Sequence, residues 1–385
     1  MEAYFDNSAT TCVTEDVSRA VVKMMTEDFG NPSSKHHKGV EAEHYLRQAR
    51  EIIADTMKVD EKEIYFTSGA TESNNWALIG SALANARSGK HVITTAVEHA
   101  SVLMPMHFLQ QQGFEVTYLP VDEYGRISTD DLKKALRKDT ILAAVMYVNN
   151  EVGAIEPVEE AGKIIKDWNR NIIFHVDAVQ AYGKLRIRPR RMNIDTLSVS
   201  SHKIHGPKGA GFLYVRDKAK INPLILGGGQ QKGMRSGTDN VPGAWGMAVA
   251  ARDCYDHFAE DTAHLLELKK RMMDGLRSLD HTVLHSLPGQ EGAPHIVSCS
   301  FPGIRSEVLL HALEAKGIYV SSGSACSSNR NLPVSTVLAE MHLPEDQLES
   351  TLRFSFSRYN TAEEEDYALE VLRELLPKLR RYTRH

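Results

Sequence analysis

IIFHVDAVQ, residues 172–180, is the stretch on which the reading of the fold turns. Its apolar run lacks the polar alternation of a half-exposed strand, as expected of a strand covered on both faces. The run ends in Asp177, a carboxylate at the tip of an apolar strand. Gln180, three residues on, sits one helical turn further and can reach the same ligand. Similar runs lie on both sides: EIYFTSG from Glu63, HVITT from His91, EVTYL from Glu115, ILAAVMYV from Ile141 and GFLYV from Gly211. Helical patterns over 72–87, 100–112, 129–136 and 158–168 separate them. Such alternation predicts an α/β fold with a mostly parallel sheet. Ligands in such folds gather beyond the carboxyl ends of the strands.

The pattern changes after about residue 255. A long helical stretch through HLLELKKRMMDGLRSL precedes HIVSCSF, SEVLLHALEAKG, IYVSS and LRFSFS. A last helix begins near Thr361, where Thr361 and Glu364 have capping-box spacing. The expected organisation is a large α/β domain over 15–255 and a smaller α+β domain formed by 1–14 and 256–385.

Composition narrows the function classes. The chain has 385 residues, 42% apolar and 25% charged, with 45 basic against 50 acidic side chains and a formal charge of −5. That balance gives no general electrostatic reason to bind nucleic acid or an anionic membrane. No run of about 18 apolar residues predicts a membrane span, and MEAYFDNSATT lacks the apolar core of a signal peptide. The four cysteines, Cys12, Cys254, Cys299 and Cys326, are far apart and form no CxxC pair. Neither a disulfide framework nor a metal site is expected, and a reduced, cytoplasmic setting fits.

Several short segments carry candidate chemistry. In SVSSHKIHGPKG, Lys203 sits where a strand enters a tight turn; it is either a surface lysine or a Schiff-base amine for a carbonyl cofactor. Asp177 either caps the next helix or pairs with a protonated pyridine nitrogen. TSGATESNN, from Thr67, reads as a helix start whose amides at Ala70 and Thr71, with the Thr71 hydroxyl, face an anion. The alternative is a helix capped by Ser68 or Thr71. His99, just after HVITT, is a structural hydrogen-bonder or a ring-stacking proton carrier. His202 and His205 have metal-ligand spacing but no further ligand cluster. The glycine-rich 227–240 contains Lys232, Arg235 and Thr238 and is either a surface loop or a phosphate contact. SSGSACSSN holds one thiol, Cys326, in a small polar loop over about 321–332 that suits an accessible nucleophile better than core packing. Arg353, in LRFSFSR, suits a carboxylate.

In this order the segments resemble the NifS/IscS-type (group I) cysteine desulfurases of the class V aminotransferase superfamily. The resemblance runs through FDNSATT, FGNPSSKH, TSGATESNN, EHASV, VNNEVG, HVDAVQ, SSHKIHGPKG, GGGQQKGMRSGT, SSGSACSS and LRFSFSRYNT, nearly the whole chain. It implies a PLP-dependent transferase fold with a seven-stranded sheet. Pyridoxal phosphate (PLP) is then carried by Lys203, with Asp177 at the ring nitrogen, Gln180 at the ring hydroxyl and His99 stacked on the ring as acid and base. Ala70, Thr71, Ser200 and His202 bind the phosphate, joined by Thr238 from the second subunit of a homodimer. Asn150 and Arg353 hold the carboxylate of L-cysteine. Cys326 takes the sulfur as a persulfide while alanine leaves, and a sulfur-acceptor protein follows, either an iron–sulfur scaffold or a tRNA-thiolation enzyme. The chain stops at RYTRH, short of the tail by which housekeeping members dock their scaffold, so a dedicated or thiolation role stays open. The alternatives are a selenocysteine lyase or another PLP-dependent β-lyase or aminotransferase, and a non-catalytic sulfur-transfer scaffold.

Overall fold

The computed structural model describes residues 1–322 and 335–382. Its central element is a seven-stranded sheet of β2 (Ile64–Thr67), β3 (His91–Thr95), β4 (Glu115–Leu119), β5 (Thr140–Met146), β6 (Ile173–Asp177), β7 (Thr196–Ser200) and β8 (Gly211–Val215). The spatial order is β2-β8-β7-β6-β5-β3-β4. β8 is antiparallel to both its neighbours, and the other pairs are parallel. The carboxyl ends of β2, β3, β5, β6 and β7 therefore share one edge, and the loops after them form one rim.

β6, the strand read from IIFHVD, is buried throughout. Phe174 and Val176 pack with Leu197, Val199, Phe212 and Tyr214 of its neighbours into the main core. Helices His37–Met57 and Val241–Asp256 belong to the same core. β7, TLSVS, lies between β6 and β8 and was absent from the apolar runs picked out above. Its alternate Thr and Ser break up the hydrophobic run, yet all five residues are buried. The polar ones have local work: Thr196 Oγ1 bonds His175 Nδ1 at 2.9 Å, and Ser200 faces a cavity.

A second, antiparallel sheet runs β12-β13-β10-β9, from β9 (Val283–Leu284), β10 (Ile296–Ser300), β12 (Ser321–Ser322) and β13 (Thr351–Ser355). IYVSS divides: β11 (Ile318–Tyr319) pairs in parallel with β1 (Ala3–Tyr4), while β12 joins β13. Phe5, fully buried, packs edge-on against Phe356 with ring centres 5.6 Å apart. Beyond it the amino-terminal segment bonds along β13, with Ser355 N–H donating to Phe5 O at 2.7 Å and Asn7 N–H to Ser355 O at 3.2 Å. Residues 8–10 are thereby carried to the rim of the large sheet. The capping box forms: Thr361 N–H donates to Glu364 Oε2 at 3.0 Å and Glu364 N–H to Thr361 Oγ1 at 3.3 Å. No helix among the described residues is long and apolar enough to cross a membrane.

Glu156 is a buried acid with one satisfied oxygen. Its Oε2 accepts from Ile127 N–H at 2.9 Å, while Oε1 has no partner among the described residues. Burial pushes this carboxyl up from 4.5 to about 8. Below 4.5 the group is protonated whether the chain is folded or unfolded. Between 4.5 and 8 the unfolded chain releases the proton and the folded one keeps it, so stability falls as pH rises through that window. Glu156→Gln removes this loss. Its melting temperature relative to the parent should be near parity at the acid end of the window and rise towards pH 8, as measured by thermal melts across pH.

Candidate active site

A cavity of about 630 Å³ opens at the rim, between the carboxyl ends of the large sheet and the smaller sheet. The structure brings ten of the expected site residues to its wall: Ala70, Thr71, His99, Asn150, Asp177, Gln180, Ser200, His202, Lys203 and Arg353. Thr238 is exposed and does not line it. Cys326 lies outside the described residues. Unforeseen wall residues include Ser101, Lys208 and residues 8–10.

Lys203 ends a tight turn, Ser201–Lys203, that leaves β7 directly. Its Nζ donates to the carbonyls of Ser8 at 2.5 Å and Ala9 at 2.7 Å. The amino-terminal segment thus supplies an acceptor pair for this amine. Thr11 holds the turn in place by donating its N–H and Oγ1 to His202 O at 2.9 and 3.0 Å. Burial, and then the Lys203 charge, press the His202 imidazole down to about 4. Near neutral pH His202 is therefore an uncharged ring. His202 and His205 gather no third ligand among the described residues.

Asp177 is 6% exposed, at the tip of β6. Its Oδ1 accepts from Val179 N–H at 3.0 Å and its Oδ2 from Asn74 Nδ2 at 2.7 Å. Both oxygens are held by protein donors, and the carboxylate still lines the cavity. Gln180 beside it donates from Nε2 to Ser8 O at 3.0 Å, and its Oε1 meets His295 Nε2 at 3.2 Å. Burial drives His295 well below the usual histidine range, so the ring is neutral.

The helix start at Ala70 carries no side-chain cap, contrary to the reading in which Ser68 or Thr71 caps it. Gly69 occupies the cap position at φ +149°, which a residue with a side chain rarely adopts. Ser68 N–H instead donates to Glu72 Oε2 at 2.8 Å, and Arg235 grips Glu72 from Nε and Nη2 at 2.8 and 3.0 Å. The amides of Ala70 and Thr71 thus begin a helix at the cavity wall. A lysine amine, an enclosed carboxylate and an uncapped helix start form a donor set that fits PLP.

Arg353 crosses from the smaller sheet. Its Nη1 donates to Asn150 O at 2.7 Å and its Nη2 to Asp6 Oδ1 at 2.8 Å. Its Nε is buried with no partner among the described residues. A guanidinium held at both ends with a donor left over is prepared for a carboxylate.

Gly211 sets how closely β8 approaches the helix start. A Cβ there would meet Gly69 Cα at 2.6 Å and Val199 O at 2.7 Å, both backbone atoms. Gly211→Ala should destabilise the fold by about 1–3 kcal/mol and weaken PLP uptake. Denaturant melts and absorbance titration check the two effects.

Comparison with known proteins agrees with this geometry. The family described as Aminotransferase class-V matches residues 3–367. A cysteine desulfurase IscS from Methanosarcina thermophila is 47% identical over 98% of this chain and 92% of its own length. Among solved structures, a NifS-like protein superposes with a TM-score of 0.93 at 40% identity, covering 98% of this chain and 100% of that one. SspA in complex with cysteine gives 0.81 at 35% identity, over 93% of this chain and 100% of the other. The chain belongs to the class V aminotransferase family and, within it, to the NifS/IscS-type cysteine desulfurases.

Proposed function

We propose that the protein is a PLP-dependent cysteine desulfurase that converts L-cysteine to L-alanine and receives the sulfur on Cys326. The observation that carries this reading is the convergence of Lys203, Asp177 and Arg353 on one cavity. Amine, carboxylate and guanidinium match a carbonyl cofactor, its ring nitrogen and an amino-acid carboxylate in turn. The chemistry supplied by bound PLP is an electron sink for the bond between Cα and its hydrogen.

The chain's own groups do the rest. The Arg353 guanidinium and the Asn150 side chain fix the substrate carboxylate, which orients the rest of the amino acid towards Lys203. The Lys203 amine takes the Cα proton and returns it later. Asp177, oriented by its two donors, would face the ring nitrogen of the bound cofactor. Gln180 has a second N–H to offer, since its first is used on Ser8 O. Ala70, Thr71, Ser200 and the neutral His202 would hold the phosphate, and His99 would lie against the ring.

In the sulfur step, the Cys326 thiolate attacks the substrate sulfur. The new S–S bond forms as the C–S bond breaks, and its electron pair stays with the carbon skeleton, which is protonated and leaves as alanine. A free thiol titrates near 8.5, so attack near neutral pH requires a proton acceptor. Ser321 stands opposite Arg353 in the smaller sheet, so the chain leaves for Cys326 from beside the substrate anchor. The persulfide then passes to an acceptor thiol by exchange, in iron–sulfur cluster assembly or in tRNA thiolation.

The working unit in this reading is a homodimer. Thr238 is exposed and does not line the cavity of its own chain, which suits a residue serving a neighbouring subunit, and large apolar side chains such as Phe29 and Leu226 are 67% and 77% exposed. Sedimentation should give twice the chain mass.

Two variants test the chemistry. Lys203→Ala should abolish formation of alanine and sulfide from cysteine; turnover at the parent rate would sink the mechanism. Cys326→Ser should still change the cofactor absorbance on adding cysteine while forming no protein persulfide by mass spectrometry. A persulfide on Cys12, Cys254 or Cys299 would reassign the nucleophile.

A further inference from the structure

Asn74 is fully buried in the helix that starts at Ala70, and its side chain meets three others. Its Nδ2 donates to Asp177 Oδ2 at 2.7 Å and to Ser101 Oγ at 2.8 Å, and its Oδ1 meets His175 Nε2 at 3.0 Å. Proton counting gives each bond a direction. A carboxylate oxygen accepts, so the nitrogen end of the amide faces Asp177 and Ser101. Burial pushes His175 down to about 3, which leaves that ring one proton. The proton lies on Nε2, facing Asn74 Oδ1, and Nδ1 accepts from Thr196 Oγ1.

The same counting continues outward. Ser101 Oγ, already accepting from Asn74, has one hydrogen of its own. Its other close partner is His99 Nδ1 at 2.8 Å. The backbone N–H of Ser101 reaches the same nitrogen at 3.1 Å. Two donors therefore converge on His99 Nδ1, and the ring proton belongs on Nε2.

We propose that Asn74 is a positioning residue that acts through Ser101 to hold His99 as its Nε2–H tautomer. The functional weight of this rests on the cavity being the PLP site. His99 then meets the cavity as a hydrogen-bond donor. A further proton can go only to Nδ1, once the Ser101 hydroxyl and backbone N–H have turned away from that nitrogen. The amide that anchors Asp177 also sets the proton on His99, so one buried group prepares two residues of the cavity wall.

The test is tautomer assignment by two-bond ¹H–¹⁵N correlation spectroscopy on the cofactor-free full-length protein, labelled at histidine. His99→Gln identifies the signal. The parent should show His99 as the Nε2–H form. Asn74→Leu and Ser101→Ala should each move the ratio about fivefold towards Nδ1–H, the effect of one ordinary neutral hydrogen bond. Ser101→Thr keeps the hydroxyl and should retain the parent ratio, which a general packing role would not explain. Ser101→Ala removes a single oxygen, so the result does not depend on Asn74→Leu folding. His99 found as Nδ1–H in the parent, or a ratio unmoved in folded Ser101→Ala, would overturn the proposal. Failure of the parent to take up PLP by absorbance would instead overturn the reading of the cavity, a separate and distinguishable outcome.

Discussion

A carboxylate enclosed at the end of an apolar strand is the constraint around which this molecule is arranged. Isolated, the Asp177 charge would be strongly unfavourable. The chain answers with a backbone N–H from Val179 on one oxygen and the Asn74 amide on the other. Asn74 can serve only if its helix begins at Ala70, and that beginning depends on Gly69 and on the close approach permitted by Gly211. The groups that satisfy the acid thus also create the uncapped helix start. One electrostatic requirement, met locally, sets out two parts of the cavity wall.

The second organising feature is the amino-terminal segment. It is anchored in the smaller sheet by Phe5 and by bonds along β13, then lends Ser8 and Ala9 carbonyls to Lys203 and Asp6 to Arg353. Arg353 in turn grips Asn150 of the large sheet's rim. Arg353 and Lys203 are therefore aligned by the same few residues. Arg353 is oriented at two points, which suits bidentate recognition and would not suit a lysine in its place.

Much of the architecture was legible in the chain. HVITT, EVTYL and GFLYV coincide with β3, β4 and β8; β3 and β8 are buried throughout, and strands covered on both faces leave a continuous apolar signature. β7 escaped, since its alternate Thr and Ser interrupt the apolar run although all five residues are buried. Candidate residues at strand ends were legible for a related reason: the parallel topology sends them to one rim. The support around them was not. Asn74 and Ser101 are separated by 27 positions, and Asn74 and Asp177 by 103. Their roles depend on hydrogen-bond direction, which appears only once the side chains are side by side. Ser68 and Thr71 looked like caps by residue type, but the Ser68 amide is taken by Glu72 and the cap position falls to Gly69.

The bond between Asp6 and Arg353 also has a meaning in time. The two residues are 347 positions apart, and one lies near each end of the chain. During synthesis at about 5–20 residues per second, Arg353 follows Asp6 by roughly 20–70 s. For that interval the amino-terminal segment has no β13 to lie along, and the Ser8 and Ala9 carbonyls cannot yet be held in place for Lys203. The large sheet can be complete well before the catalytic cavity exists. Maturation of the cavity therefore has a built-in order, in which its assembly waits for the synthesis of β13.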